Sequence, residues 1–97
     1  MVRRIVERFD PDRIILFGSH ARGDAGPDSD VDLLVVMPVT GSRCDQQVAI
    51  RMAIHDIRVP KDIIVVTPEE VERRRDIPGT VIRPAIREGK VLYVRPR

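Results

Sequence analysis

Asp30 and Asp32 stand two residues apart at the head of the apolar run 33–37. On a strand that spacing turns both carboxylates to one face, while Val31 points the other way into a core. Two carboxylates ~4 Å apart repel by about 4 kcal/mol at an effective dielectric of ~20. A divalent cation between them reverses the sign, and all-oxygen ligands with open positions suit Mg²⁺ or Mn²⁺. Asp62 repeats the arrangement, opening Ile63-Ile64-Val65-Val66 as Asp32 opens Leu33-Leu34-Val35-Val36. If those strands are neighbours, three carboxylates converge at one edge of a sheet. Such a set suits two ions, one activating an attacking oxygen and the other holding a triphosphate. The plainer alternative makes all three ordinary strand-end acids that flank turns.

Gly18-Ser19 is the complementary half. A glycine at a strand end lets backbone approach a ligand, and amides at a following helix start attract phosphate. The Ser19 hydroxyl can donate to a phosphate oxygen. Alone, a Gly-Ser pair reads as a plain turn; the aspartates eleven and thirteen residues after Ser19 make it informative. Three neighbouring patterns fail. Gly18, Gly23 and Gly26 lack the spacing of the dinucleotide fingerprint. Gly18 to Gly23 has P-loop spacing, but Asp24 stands where that loop needs lysine. Asp28, Asp30 and Asp32 resemble the start of a calcium loop, yet Leu33 replaces its glycine and Val39 its bidentate glutamate.

The elements that must position these residues can be read from periodicity and punctuation. Val2, Ile5, Val6 and Phe9 fall at helical spacing, and Asp10-Pro11-Asp12 ends that helix. Residues 13–17 read as a buried strand closed by Gly18, and 20–29 as a loop that can open with a helical turn. Residues 31–37 form a second strand stopped by Pro38. A long helix is expected over about 44–58, with Ile50, Ala53, Ile54 and Ile57 on one side. Pro60 separates it from a third strand, 62–66. Thr67-Pro68-Glu69-Glu70 offers an N-cap, a first-turn proline and a capping-box glutamate for a short helix to about residue 75. Thr80 is expected to cap a last helix ending at Glu88, with Gly89 as stop signal and Pro84 forcing a kink or late start. Residues 91–94 read as a final strand. The alternation implies an α/β (α+β) fold, a small mixed sheet of three to four strands with helices mainly on one face. The other face is then open to a ligand or partner, and residues 1–97 read as a single domain.

Composition narrows the class. The chain has 97 residues, 42% hydrophobic and 33% charged, in the range of folded globular proteins. No apolar stretch approaches the ~18 residues of a membrane span. One cysteine, Cys44, and no Cys/His cluster argue against disulfides and zinc, so a reducing cytoplasmic setting is expected. The net charge of +2 divides unevenly, −2 over residues 1–48 and +4 over 49–97. All but Lys61 and Lys90 of the basic residues are arginine. That bias reflects either composition drift or recognition of phosphate and acidic groups by guanidinium forks. The Arg73-Arg74-Arg75 run likewise reads as a solvated helix end near the carbonyl pole, or as a docking surface for an acidic partner.

Gly18-Ser19, ten residues, then Asp30-x-Asp32, with Asp62 on a later strand, resembles the signature of DNA polymerase β-type nucleotidyltransferases. The fuller strings, Gly-Ser-x-Ala-Arg-Gly and Ser-Asp-x-Asp-Leu-Leu-Val, resemble the minimal nucleotidyltransferase (MNT) family of prokaryotes. The likeness is concentrated in residues 16–36 and 61–68, and the order of elements extends it over nearly the whole chain. It implies that Asp30, Asp32 and Asp62 are catalytic and bind two Mg²⁺ (or Mn²⁺) ions. It implies that Gly18 and Ser19 hold the nucleotide phosphates, with Arg22 facing them unless it makes a surface salt bridge. His20 falls at the family's variable position and is given no chemistry beyond a polar contact.

The resemblance also implies a role. MNT proteins are commonly antitoxins paired with a HEPN-domain ribonuclease toxin, and some transfer AMP from ATP to a toxin tyrosine. What the sequence lacks agrees. Phe9, Phe17 and Tyr93 are the only aromatics, and the first two occupy core positions, so stacking platforms for nucleic acid are scarce. No region of the sequence is left for recognising an acceptor, which a partner in a hetero-oligomer would then present. Two alternatives stand beside transfer to a toxin: an antitoxin that masks its partner without turnover, and a free-standing nucleotidyltransferase acting on a small molecule or nucleic-acid end.

Overall fold

Apolar residues at helical spacing form helix α1 over Val2–Phe9. Asp10 stops it in the left-handed conformation, φ 49°, its amide donating to the Val6 carbonyl at 3.0 Å. The computed structural model, which describes residues 1–96, continues as β1 (Arg13–Phe17), the single turn α2 (Ser19–Arg22) and β2 (Val31–Val36). Then come α3 (Arg43–Ala53), β3 (Lys61–Val66), α4 (Pro68–Arg74), α5 (Ile82–Glu88) and β4 (Lys90–Val94). The α/β class and the small mixed sheet are as the sequence implies. Among the described residues no helix is long and apolar enough to cross a membrane.

The sheet order is β3-β2-β1-β4. β1 runs antiparallel to both β2 and β4, whereas β2 and β3 are parallel. Parallel neighbours need a crossover, and α3 makes it. Val35 and Leu33 of β2 join Ile14, Ile63 and Val65 under Ile5 of α1 and Ile50 of α3. Leu34 and Val36 point the other way and join Ile15 and Val66 under Val71 of α4 and Ile82 and Ala85 of α5. Helices are therefore divided between the two faces instead of gathered on one. The physical reason lies in the strand: a strand buried on both sides carries an unbroken apolar run, as 33–36 does, rather than alternation. With both faces covered, a ligand is left the end of the sheet.

Local differences have local causes. Helix α3 stops at Ala53, short of the expected residue 58, and the chain turns through Ile57, whose amide donates to the Ile54 carbonyl at 3.0 Å. The Lys61 ammonium ties that turn down by donating to the carbonyls of Ile57 (2.7 Å) and Val59 (3.2 Å). Thr80 does not cap α5; its hydroxyl donates to the Ile77 carbonyl, and Val81 is the capping residue. The late start expected from Pro84 is observed, placing the proline in the first turn, where no intrahelical donor is needed. Gly89 ends α5 with φ −75°, an ordinary value. What requires glycine there is contact: a Cβ would lie 2.2 Å from the Ala85 carbonyl oxygen and 2.6 Å from Ile15 Cγ2.

The capping box at α4 forms as its residues imply. The Glu70 amide donates to Thr67 Oγ1, and the Thr67 amide donates to Glu70 Oε1, both at 3.1 Å. Arg43 of α3 donates to the same carboxylate oxygen at 2.5 Å, so this buried acid links two helices that lie on opposite faces of the sheet. Burial pushes the Glu70 carboxyl up, but the Thr67 amide and the Arg43 guanidinium outweigh it and hold it below its ordinary value of 4.5. A depressed acid adds stability above its unfolded-state pKa and loses it as pH falls through the folded-state pKa. Glu70→Gln is expected to lower stability by about 1–2 kcal/mol at pH 7 in urea unfolding. The gap should begin to close below pH 4.5 and vanish beneath the folded-state value.

Candidate active site

Strand pairing decides which carboxylates meet. In the parallel ladder Asp32 of β2 is the direct partner of Asp62 of β3, and in the antiparallel ladder it faces Phe17 of β1. Directly paired residues project to the same side, here the side of Leu34, Ile64 and Val66. Asp30 lies one residue before β2. Burial, then the charge of Asp62, then that of Asp30, raises the Asp32 carboxyl above its usual value, with His20 and Arg22 opposing. Asp32 and Asp62 thus share one end of one sheet face, Asp30 lies just ahead of it, and Asp32 is within reach of both charges.

The turn ahead of α2 closes on this group. Gly18 follows β1 with φ 75° and ψ −154°, and a Cβ on it would lie 2.4 Å from Asp32 Oδ2. Glycine here answers both a backbone conformation and the close approach of a carboxylate. Ser19 begins α2 directly beside it. Because α2 is a single turn, any attraction for phosphate comes from individual amides and the Ser19 hydroxyl rather than from a summed dipole. Arg22 Nε donates to Asp24 Oδ2 at 3.3 Å on the surface, while its charge also lowers Asp32.

Two residues that the sequence reading left without a role hold the site together. His20 Nε2 lies 3.1 Å from the Ser29 carbonyl, tying the glycine-serine turn to the residue before Asp30. Arg51 Nη2 donates to Asp62 Oδ1 at 2.9 Å. The signal for Arg51 was its spacing from Arg43 and Gln47. These positions, four apart, form one stripe of α3: Arg43 meets Glu70, Gln47 Oε1 accepts from the Val65 amide at 2.9 Å, and Arg51 meets Asp62. The stripe runs along β3, the outer strand.

The donor set is hard oxygen throughout, and Asp32 is pushed up first by burial and then by the neighbouring Asp62 and Asp30 charges. Among the described residues no three His, Cys, Asp or Glu side chains gather tightly enough to enclose an ion by themselves. Mg²⁺ is ordinarily held by one or two carboxylates together with substrate phosphates and water. A cleft of about 600 Å³ lies at the other end of the sheet, between Arg13, Val36, Val71 and Val94, away from all three acids. Gly18→Ala is expected to cost about 1–2 kcal/mol in urea unfolding, from the φ and the clash with Asp32. Gly23→Ala, at φ 82° with no atom near its Cβ, should cost less.

A model of the nucleotidyltransferase domain matches residues 1–93. A Methanocaldococcus jannaschii relative named "Putative protein adenylyltransferase MJ0141" is 45% identical over 42 residues, 43% of this chain. The match spans 42% of that relative's length. A crystal structure described as a putative nucleotidyltransferase from Sulfolobus solfataricus superposes with a TM-score of 0.64 at 24% identity, covering 97% of this chain and 74% of that one. A toxin-antitoxin crystal structure with AMP-PNP gives 0.61 at 17% identity, covering 96% and 69%. A mutant of the MntA-HpeT toxin-antitoxin gives 0.63 at 16% identity, again covering 96% and 69%. At these identities the structures establish a shared fold. The family match over residues 1–93 goes further: the chain belongs to the nucleotidyltransferase domain family.

Proposed function

We propose that this nucleotidyltransferase is a single catalytic domain acting as an antitoxin. In this reading it transfers AMP from ATP to a tyrosine hydroxyl of a partner HEPN-domain toxin, in the presence of Mg²⁺. The observation that carries the reading is the pairing of Asp32 with Asp62, with Asp30 adjacent and Gly18 against the Asp32 carboxylate. The name of the M. jannaschii relative and the toxin-antitoxin likeness support it from outside the chain.

In this reaction the tyrosine oxygen attacks the α-phosphorus of ATP. The new O–P bond forms as the bond to the β-phosphate oxygen breaks, and pyrophosphate leaves. Asp30, Asp32 and Asp62 would hold two Mg²⁺ ions (or Mn²⁺), which would neutralise phosphate charge and lower the pKa of the acceptor hydroxyl. Gly18 and Ser19 bind the triphosphate through backbone and hydroxyl donors, and Arg22 adds a guanidinium once it leaves Asp24. In this reading Asp62 takes the tyrosine proton. AMP added beside a ribonuclease site introduces negative charge that repels RNA.

A second reading, binding and masking without turnover, is favoured by one observation: Asp62 is engaged by Arg51. Labelled ATP, Mg²⁺ and the product of the neighbouring gene separate the two. Transfer predicts label on that product. The variant Asp30→Asn/Asp32→Asn should lose it by at least ~100-fold, since even outer-shell changes around a metal cost about 10–100-fold. Masking predicts an unlabelled partner that the same variant still neutralises; absence of label within a demonstrated complex would reject transfer.

A further inference from the structure

The third carboxylate of the candidate site already has a cationic partner from its own chain. Arg51 Nη2 lies 2.9 Å from Asp62 Oδ1, and the two side chains are about equally exposed, 49% and 46%. The helix that carries Arg51 is anchored at two other points. Gln47, one helical turn earlier, is fixed on the Val65 amide, and Arg43, two turns earlier, is fixed on Glu70. The stripe therefore carries Arg51 to the head of β3, where Asp62 stands beside Asp32 in the ladder.

A guanidinium and a divalent ion on one carboxylate repel each other, and the guanidinium already neutralises part of the charge the ion would use. Resting on the metal-dependent reading above, we infer that Arg51 is a positioning residue that holds Asp62 as an internal counter-cation until a divalent ion displaces it. Asp32 and Asp30, with the triphosphate, would then form the entry site, and Asp62 would join only after the exchange. Half-exposure is what permits this. A buried pair would be costly to break, whereas an exposed one is worth at most about 1 kcal/mol and is freely exchanged. The released guanidinium remains next to the site, where an anionic phosphate is its natural new partner.

The test is Mn²⁺ binding without nucleotide, read from the loss of the free-ion signal in electron paramagnetic resonance. Arg51→Gln is expected to bind Mn²⁺ about three- to fivefold tighter than the wild type, the scale set by a half-exposed ion pair. Arg51→Lys, which keeps the charge, should stay near the wild-type affinity. In Arg51→Gln/Asp62→Asn the gain should disappear. Arg43→Gln, on the same stripe but paired with Glu70, should lower stability and leave Mn²⁺ affinity unchanged. The inference is overturned if Arg51→Gln binds no tighter than wild type, or if its gain survives Asp62→Asn. Should neither the wild type nor any variant bind Mn²⁺, with ATP present or absent, the metal-dependent reading fails and takes this one with it. Binding lost with Asp32→Asn but indifferent to Arg51 would reject the Arg51 inference alone.

Discussion

Parallel pairing of β2 with β3, in register, is the constraint from which the rest of the site follows. It sets Asp32 against Asp62 and Leu34 against Ile64, so one alignment fixes both the charged end and the apolar middle of the same face. A slip of one residue would send Asp62 among Ile63's neighbours in the α1–α3 core and bring Ile63 to the site. Registers that bury an unpaired carboxylate are heavily penalised, so the hydrophobic pattern that folds the sheet also assembles the acids. Carboxylates brought together this way repel, and the pair is tolerable because it sits at the strand heads, near water and arginine, rather than at mid-strand.

α3 does more than connect the parallel strands. Its inner face packs Ile50 into one core, while the stripe Arg43, Gln47, Arg51 lies along the outer edge of β3. An edge strand presents unpaired amides, and the Gln47 side chain accepts from one of them. One helix thus closes the crossover, covers an edge and reaches the site at Asp62. The Glu70 contact extends the same helix to the capping box of α4, so the two ends of β3 are held by two arginines of one stripe.

Much of this was legible because the signals are local. The order of strands and helices, the Thr67-Pro68-Glu69-Glu70 box and the shared face of Asp30 and Asp32 on a strand follow from spacing within a few residues, whereas the meeting of Asp32 with Asp62 needed β2 and β3 to be neighbours. Gly18 was legible as a close-approach glycine, and the structure names what approaches: the Asp32 carboxylate. The division of helices between faces was written in the unbroken run 33–36, which also fits a half-covered sheet of short strands until the tertiary partners are known. For Arg51 only the stripe with Arg43 and Gln47 was legible; its partner was not, since it lies across a turn and depends on which edge of the sheet β3 occupies. Thr80 was misleading because a Thr before a helix can serve the preceding turn as readily as the following one.

The two borders of the sheet end up unlike each other. β3 has its Val65 amide taken by the Gln47 side chain, whereas β4 has no strand beyond it among the described residues and carries exposed Val91, Leu92 and Val94. Lateral growth of the sheet, by an added strand from another chain or by self-association at high concentration, is therefore directional: it is favoured outward from β4 over β3, where a helix side chain already occupies an edge amide.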